Sequence, residues 1–384
     1  MMGELALRYP PQTLVVSTGR YERSAPSDAR FPQAIDRTGI RATRLRTANG
    51  LLLWSRRASA LARRHLPRFA WCGELKPAAY PARWLARRYG LPYGVFVYGT
   101  ELLLLDAKLR RSVFKRWTAN RLLGDAAVVV AISRWTAELA RSVLEALGRP
   151  DAAARVRVLP LGTDPTQFRP GIDARAVRAR YGLEGGPWLL TVARLERHKG
   201  IDTVIRALPG VRAACPGTRY AVAGTGHRRS QLEAIASASG CGDAIRFLGE
   251  VPDADLPALY NAVDLYVGAS RRCELMAEGF GISLVEASAS GLAVVAGRSG
   301  GVPDAVRDNE TGILVDPDDP DAVAAGIAAL LGDPERRTRM AIAGRRAVET
   351  YFNWDRVARD VLAIDEEFSR SSPISQPSVA AADG

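Results

Sequence analysis

The chain is predicted to be an α/β protein of two Rossmann-like parallel-sheet domains facing a cleft, with a last helix crossing back onto the first domain. Three observations predict this. At 384 residues it is too long for one compact core and suits two α/β domains of ordinary size. Short β-branched runs alternate with amphipathic helical stretches, the pattern of a doubly wound parallel sheet. The alternation then breaks at the turn-rich stretch Pro160-Leu161-Gly162-Thr163-Asp164 and starts again.

In the first array, residues 13–17 read as a strand, 51–66 and 77–89 as helices, and 93–98 and 125–132 as strands. Ser133 opens a helix over 135–147, and 155–159 is one more strand. The second array begins with a strand at 188–192, a helix at 200–208 and a strand at 220–223 that ends in Gly224-Thr225-Gly226. Strands at 245–248, 265–267, 293–296 and 313–315 follow with helices between them, and 322–331 and 334–351 read as helices. The segment 354–368 is long enough to return to the first domain. The expected division is therefore 1–164, 165–351, a crossover helix at 352–368, and a Ser/Pro/Ala-rich disordered tail at 369–384. Residues 2–9 resemble the end of a helix, so the strand and glycine loop that normally open such a domain are expected to be missing.

Composition excludes several classes. Hydrophobic content of 47% and charged content of 24% are those of a globular protein. The longest apolar runs, such as 102–105 and 128–132, fall far short of the ~20 residues of a spanning helix, and the first ten residues lack the pattern of a signal peptide. Cys72, Cys215, Cys241 and Cys273 are scattered with no metal-ligand spacing, which argues for buried or free thiols in a reducing cytoplasm and against zinc or a disulfide framework. The net charge of +12 is uneven: 28 Lys and Arg stand against 12 Asp and Glu through Asp164, and 25 against 29 beyond it. The first half is thus expected to meet an anionic surface. With no aromatic-basic repeat and no helix-turn-helix, that surface is not read as nucleic acid.

Chemistry concentrates in Ala277-Glu278-Gly279-Phe280-Gly281-Ile282-Ser283-Leu284-Val285-Glu286. A glycine turn lets backbone approach a ligand, and the free N–H groups of the helix it opens form an anion site suited to a diphosphate. Glu278 before the turn can accept from sugar hydroxyls, and Glu286, about one turn into the helix, from a ribose. Taken alone, the segment also fits an ordinary strand-to-helix connection. A second segment, Val192-Ala193-Arg194-Leu195-Glu196-Arg197-His198-Lys199-Gly200, puts Arg194 and Lys199 at the carboxyl edge of a sheet, where open α/β domains bind ligands. Fixed cations there neutralise charge developing on a departing diphosphate.

Together these segments resemble the family-4 retaining glycosyltransferases of GT-B fold. The likeness extends to Phe247-Leu248-Gly249-Glu250-Val251, Gly300-Gly301-Val302-Pro303-Asp304 and Gly312-Ile313-Leu314-Val315, and in look it is nearest the phosphatidylinositol mannosyltransferases. The resemblance implies catalytic roles for Arg194, Lys199 and Glu278, with donor contacts from Val251, Phe280, Gly281, Ile282, Ser283, Leu284 and Glu286. It implies no cofactor and no metal. The donor is a nucleotide sugar, GDP-mannose favoured over a UDP-sugar, and the acceptor a glycan or lipid-linked molecule in envelope or polysaccharide synthesis. The implied place is the cytoplasm, peripheral on the inner face of the plasma membrane. Where the family commonly has His-Gly after its fourth strand, this chain has Tyr98-Gly99-Thr100-Glu101, so Tyr98 and Glu101 are placed on the acceptor side. That departure and the missing first strand also suit a non-catalytic, glycosyltransferase-like partner protein.

Other features have plainer readings. Asp316-Pro317-Asp318 formally matches a metal-binding D-x-D, but with Asp319-Pro320-Asp321 after it the segment reads as a helix cap. Gly224-Thr225-Gly226 lacks the third glycine of a dinucleotide fingerprint, and His65, His198 and His227 are isolated. Arg56, Arg57, Arg63 and Arg64 near Trp54 and Leu61, with Lys108, Arg110, Arg111, Lys115 and Arg116 around Phe114 and Trp117, suggest docking on anionic lipid.

Overall fold

The computed structural model describes residues 1–20, 28–109 and 111–370. Its strands are β1 Val15–Arg20, β2 Ala34–Arg41, β3 Ala70–Cys72, β4 Tyr93–Val97, β5 Val128–Ala131, β6 Val156–Val158, β7 Trp188–Val192, β8 Arg219–Ala223, β9 Ile245–Gly249, β10 Leu265–Gly268, β11 Val294–Gly297 and β12 Gly312–Val315. They form a pair β1-β2, a sheet in the order β3-β4-β5-β6 and a sheet in the order β12-β11-β10-β7-β8-β9. Every pairing is parallel, for example Val95 with Val129 and Leu190 with Ala221.

Parallel strands buried on both faces read as continuous apolar runs, and β4 (Tyr-Gly-Val-Phe-Val) and β5 (Val-Val-Val-Ala) are wholly buried. In the six-stranded sheet the alternation of side chains divides the core. Leu190, Ala221, Tyr266 and Val294 point to one face, and Leu189, Tyr220, Leu265 and Val295 to the other. Helices Ala48–His65, Val113–Gly124, Arg134–Ala146, Pro320–Leu331 and Pro334–Thr350 start on Thr47, Ser112, Ser133, Asp319 and Asp333, whose side chains accept first-turn N–H groups. Asp319 followed by Pro320 is the cap expected beside Asp316-Pro317-Asp318.

The last helix, Trp354–Arg370, packs on the first, Met2–Arg8. Tyr9 Oη donates to Asp365 at 2.8 Å, Trp71 Nε1 donates to the same carboxylate, and Arg8 bridges Glu4, Asp164 and Asp355. The helix includes residues 369 and 370, two more than expected, and the rest of the expected tail lies outside the described residues. Two further expectations change. Trp54 is buried and donates to Ser17 at 2.9 Å, and Arg57 is paired with Asp36, so helix Ala48–His65 turns its tryptophan inward. Arg110 lies outside the described residues.

Candidate active site

Strand order dictates where a crevice opens. From β7 the chain steps outward through β8 and β9, then returns to the other side of β7 with β10 and continues to β11 and β12. The loops after β7 and β10 therefore diverge, and ligands bind beyond the carboxyl ends of strands at such a reversal. Both sequence-predicted segments leave from these two strands.

After β7, Ala193 N–H bonds Ala223 O at 3.0 Å and Leu195 N–H bonds Thr225 O at 2.9 Å, so the loop stays tied to the sheet. A single turn, Arg197–Lys199, closes at Gly200. Lys199 Nζ then lies 2.5 Å from Glu278 Oε2, and Ser270 Oγ donates to the same oxygen at 3.2 Å. Burial pushes the Glu278 carboxyl up, but the Lys199 ammonium pulls it down further, and it sits below the ordinary glutamate value. The carboxyl is thus ionised at neutral pH. Burial, and then the Lys199 charge, lower the neighbouring His198 and keep it neutral there. Arg194 is largely exposed and reaches Glu196 Oε1 at 2.5 Å.

After β10 the chain enters helix Ile282–Ala289 through Gly281, at φ 104° and ψ 57°, with no side-chain cap. Its first N–H groups point out of the helix end, where they and the helix dipole favour an anion. The Glu286 carboxyl accepts from Tyr260 Oη at 2.9 Å. Burial pushes it up to about 7, Tyr260 opposes this and Asp253 adds to it. Ile282 and Ser283 are half-buried at the helix start and Val251 is half-buried. Phe280 and Leu284 are almost fully buried, the Phe280 ring lying 5.9 Å from that of Phe352. Contact of those two with a ligand thus falls to their backbone.

The first half closes against this loop. A side chain at Gly279 would begin 2.1 Å from the Tyr98 carbonyl, so glycine permits the two halves to touch there. Tyr98 Oη donates to Gly73 O at 2.8 Å. The Glu101 carboxylate accepts from Tyr98 N–H at the start of helix Thr100–Leu109. Both side chains of the expected acceptor side are engaged in local bonds. Across the same junction, Arg134 donates through its backbone N–H and Nε to Asp304; within the second half, Gly301 N–H holds Glu278 O at 2.9 Å.

A family model described as glycosyl transferases group 1 matches residues 173–347. A GDP-mannose-dependent alpha-(1-6)-phosphatidylinositol monomannoside mannosyltransferase of Mycolicibacterium smegmatis is 40% identical over 241 residues, 62% of each chain. Its namesake in Mycobacterium tuberculosis is 36% identical over 265 residues, 68% of this chain and 66% of that one. The second half of the chain belongs to the group 1 glycosyl transferases. It spans just under two thirds of the length of these relatives. Solved structures give the chain the GT-B fold. A glycosyltransferase from Rickettsia africae superposes with a TM-score of 0.77 at 17% identity, over 97% of this chain and 95% of that one. Anabaena Alr3699/HepE in complex with UDP superposes at 0.76 and 18% identity, over 95% of both.

Sequence reasoning missed four residues that shape this site. Ser270 and Tyr260 hold the two glutamates, Tyr266 Oη holds the Val192 backbone at 3.3 Å, and Asp304 holds the first half. Asp304 was in view inside Gly300-Gly301-Val302-Pro303-Asp304, but its partner 170 residues away leaves no mark on local pattern.

Proposed function

We propose that the chain is a retaining hexosyltransferase that takes its sugar from a nucleoside-diphosphate donor, GDP-mannose before a UDP-sugar, and passes it to a glycan or lipid-linked acceptor. The observation that carries this reading is the half-buried Lys199–Glu278 pair beside the uncapped start of helix Ile282–Ala289. A diphosphate resting on the Gly281 and Ile282 N–H groups is neutralised by Lys199 and by Arg194, which exchanges its exposed pairing with Glu196 for the ligand. Glu278, kept ionised by Lys199, accepts from sugar hydroxyls, and Glu286 accepts from the ribose. Such fixed charges act where the leaving diphosphate gains charge, and losing one typically costs ~10²-fold in rate. The acceptor hydroxyl enters on the face the nucleotide leaves, and the leaving phosphate oxygen takes its proton, so neither glutamate is needed as a base. We assign donor binding to 165–351 and the acceptor to 1–164, with 352–368 joining them. The activities of the mannosyltransferase relatives favour mannose and a lipid acceptor.

Turnover of a panel of nucleotide sugars, scored by donor hydrolysis and thermal shift, tests the reading. Stabilisation and hydrolysis with one donor are expected, both lost in Lys199→Ala. No shift with any nucleotide would instead favour the non-catalytic reading.

The acceptor partner is proposed to be reached at an anionic membrane on the inner face of the plasma membrane. Among the described residues no helix is long and apolar enough to cross a membrane. Val113, Phe114 and Trp117 are 85%, 70% and 55% exposed, with Lys108, Arg111, Lys115 and Arg116 exposed around them. Aromatic side chains ringed by cations suit the headgroup layer. Co-sedimentation with anionic liposomes, weaker with neutral ones and lost on Phe114→Ser with Trp117→Ser, is the expected result. Equal recovery with both liposomes removes the membrane from the proposal.

A further inference from the structure

The Lys199–Glu278 pair joins two loops that leave different strands, so something must fix one loop against the other. Arg271 is placed to do so. It follows Ser270, the residue that holds Glu278, and its backbone N–H donates to His198 O, one residue before Lys199, at 2.8 Å. Its guanidinium donates through Nη2 to both Asp202 oxygens at 2.9 and 2.8 Å and through Nη1 to Thr203 Oγ1 at 2.5 Å. Asp202 and Thr203 begin the helix Ile201–Ala214 that follows Lys199. Lys199 is thus bracketed by three residues that one arginine holds. The loops also touch without slack, since a side chain at Gly200 would begin 1.7 Å from Ala269 O.

The guanidinium is only 9% exposed as a residue and is matched by Asp202, itself 6% exposed. A buried ion pair of this kind gives little net stability over an apolar one, but removing one partner strands the charge of the other. Asp318 lies 3.6 Å from Arg271 Nε, so the D-x-D segment supplies a second, outer carboxylate to this arginine. One side of the network faces a polar cavity of about 530 Å³ lined also by Arg197, Arg206, Arg272 and Glu274. Small ions in solution therefore have a path to the guanidinium.

We propose that Arg271 is a positioning residue for the reaction: by clamping Asp202, Thr203 and His198 to the loop of Ser270, it holds Lys199 Nζ on Glu278 in the geometry that the departing diphosphate requires. This rests on the function proposed above. A lysine at 271 reaches one of these acceptors but cannot serve both oxygens of Asp202 and Thr203 in one plane, so it is not a conservative change here.

The test compares wild type, Arg271→Ala and Arg271→Lys in the full chain, reading kcat and KM for sugar-nucleotide turnover with and without guanidinium chloride at tens of millimolar. Misplacement of reacting groups by about 1 Å costs roughly 10²-fold. We expect kcat to fall by that order in Arg271→Ala, with KM changed less than threefold, and guanidinium to restore at least tenfold. Guanidinium should not restore Lys199→Ala. A folded Arg271→Ala with wild-type kcat overturns the proposal, as does a loss that guanidinium leaves untouched. A second readout is independent of turnover. The Lys199 ammonium, assigned in ¹⁵N-lysine spectra by its absence in Lys199→Ala, should exchange slowly in wild type, fast in Arg271→Ala, and slowly again with guanidinium. If wild type turns over no sugar nucleotide the functional reading fails, and this exchange pattern alone still decides whether Arg271 holds the pair. An ammonium signal that Arg271→Ala leaves unchanged sinks the idea.

Discussion

Glu286 changes charge near neutral pH because burial pushes its carboxyl up to about 7, well above the ordinary value near 4.3. The sign of the consequence follows from linkage. Between the unfolded and folded values the native state holds the proton better, so Glu286 stabilises the fold fully below about pH 4. That contribution is lost as pH rises through about 7. Glu286→Gln cannot lose a proton, so its melting temperature should fall less between pH 5 and 8 than that of wild type. Ligand binding runs the other way. A carboxylate accepts a ribose hydroxyl more strongly than a neutral acid does, so wild-type affinity for a nucleoside diphosphate should gain on the variant as pH rises. At pH 8 Glu286→Gln should bind roughly tenfold more weakly, a loss of about 1.4 kcal/mol. Melting curves and titration calorimetry at pH 5.5, 6.5 and 8 check both signs. Parallel pH curves for the two proteins would show that the Glu286 proton has no part in either. Both glutamates were legible in the sequence because each flanks a glycine turn. Their partners Tyr260 and Ser270 were not, since contacts made through the fold carry no spacing rule.

At the scale of one element, helix Ile282–Ala289 opens from a residue only glycine suits. At φ 104° a side chain on Gly281 is strained, and its Cβ would begin 2.7 Å from Leu284 Cδ1. Held backbone strain of this kind costs about 1–3 kcal/mol. Gly281→Ala should therefore lower stability by about that much and, by turning the first N–H groups, weaken nucleoside-diphosphate binding at least tenfold. Chemical denaturation and calorimetry measure the two, and an alanine variant that binds as wild type would remove the helix start from the anion site. The glycine and the turn could be read in advance because backbone freedom is a local property. Strands β7 to β12 were equally readable, being short apolar runs bounded by turns. The strands missed were β2, Ala-Ile-Asp-Arg-Thr-Gly-Ile-Arg, whose charges hide any alternation, and β3, three residues long. Helix Thr100–Leu109 was missed as well, because its unbroken Leu102 to Leu105 run has no helical period.

In the whole molecule, the chain leaves the first half at Thr163 and comes back beside it. Thr163 N–H donates to Phe352 O at 2.9 Å and Trp354 N–H to Thr163 O at 3.3 Å. Gly162 packs on the Asn353 backbone. The two crossing strands of chain thus touch at one place, and the returning helix, long enough in the sequence to be expected, is fastened at its far end by Asp365. That carboxyl takes hydrogen bonds from Tyr9 and Trp71 with no cation beside it among the described residues, and burial pushes it above the ordinary aspartate value. Tyr9 is 6% exposed, so removing its acceptor strands a donor at a cost of about 1–3 kcal/mol. Asp365→Ala should lose at least that amount, whereas Asp365→Asn, which keeps one carbonyl oxygen for Tyr9 or Trp71, should lose less than half as much. The helix should also open more often, so cleavage by a protease between Asn353 and Arg370 should quicken in the alanine variant before the rest of the chain is cut. Should Asp365→Ala melt with wild type and resist cleavage equally, the returning helix is held by its apolar face, Val357, Ala358 and Val361, and the polar fastening adds nothing.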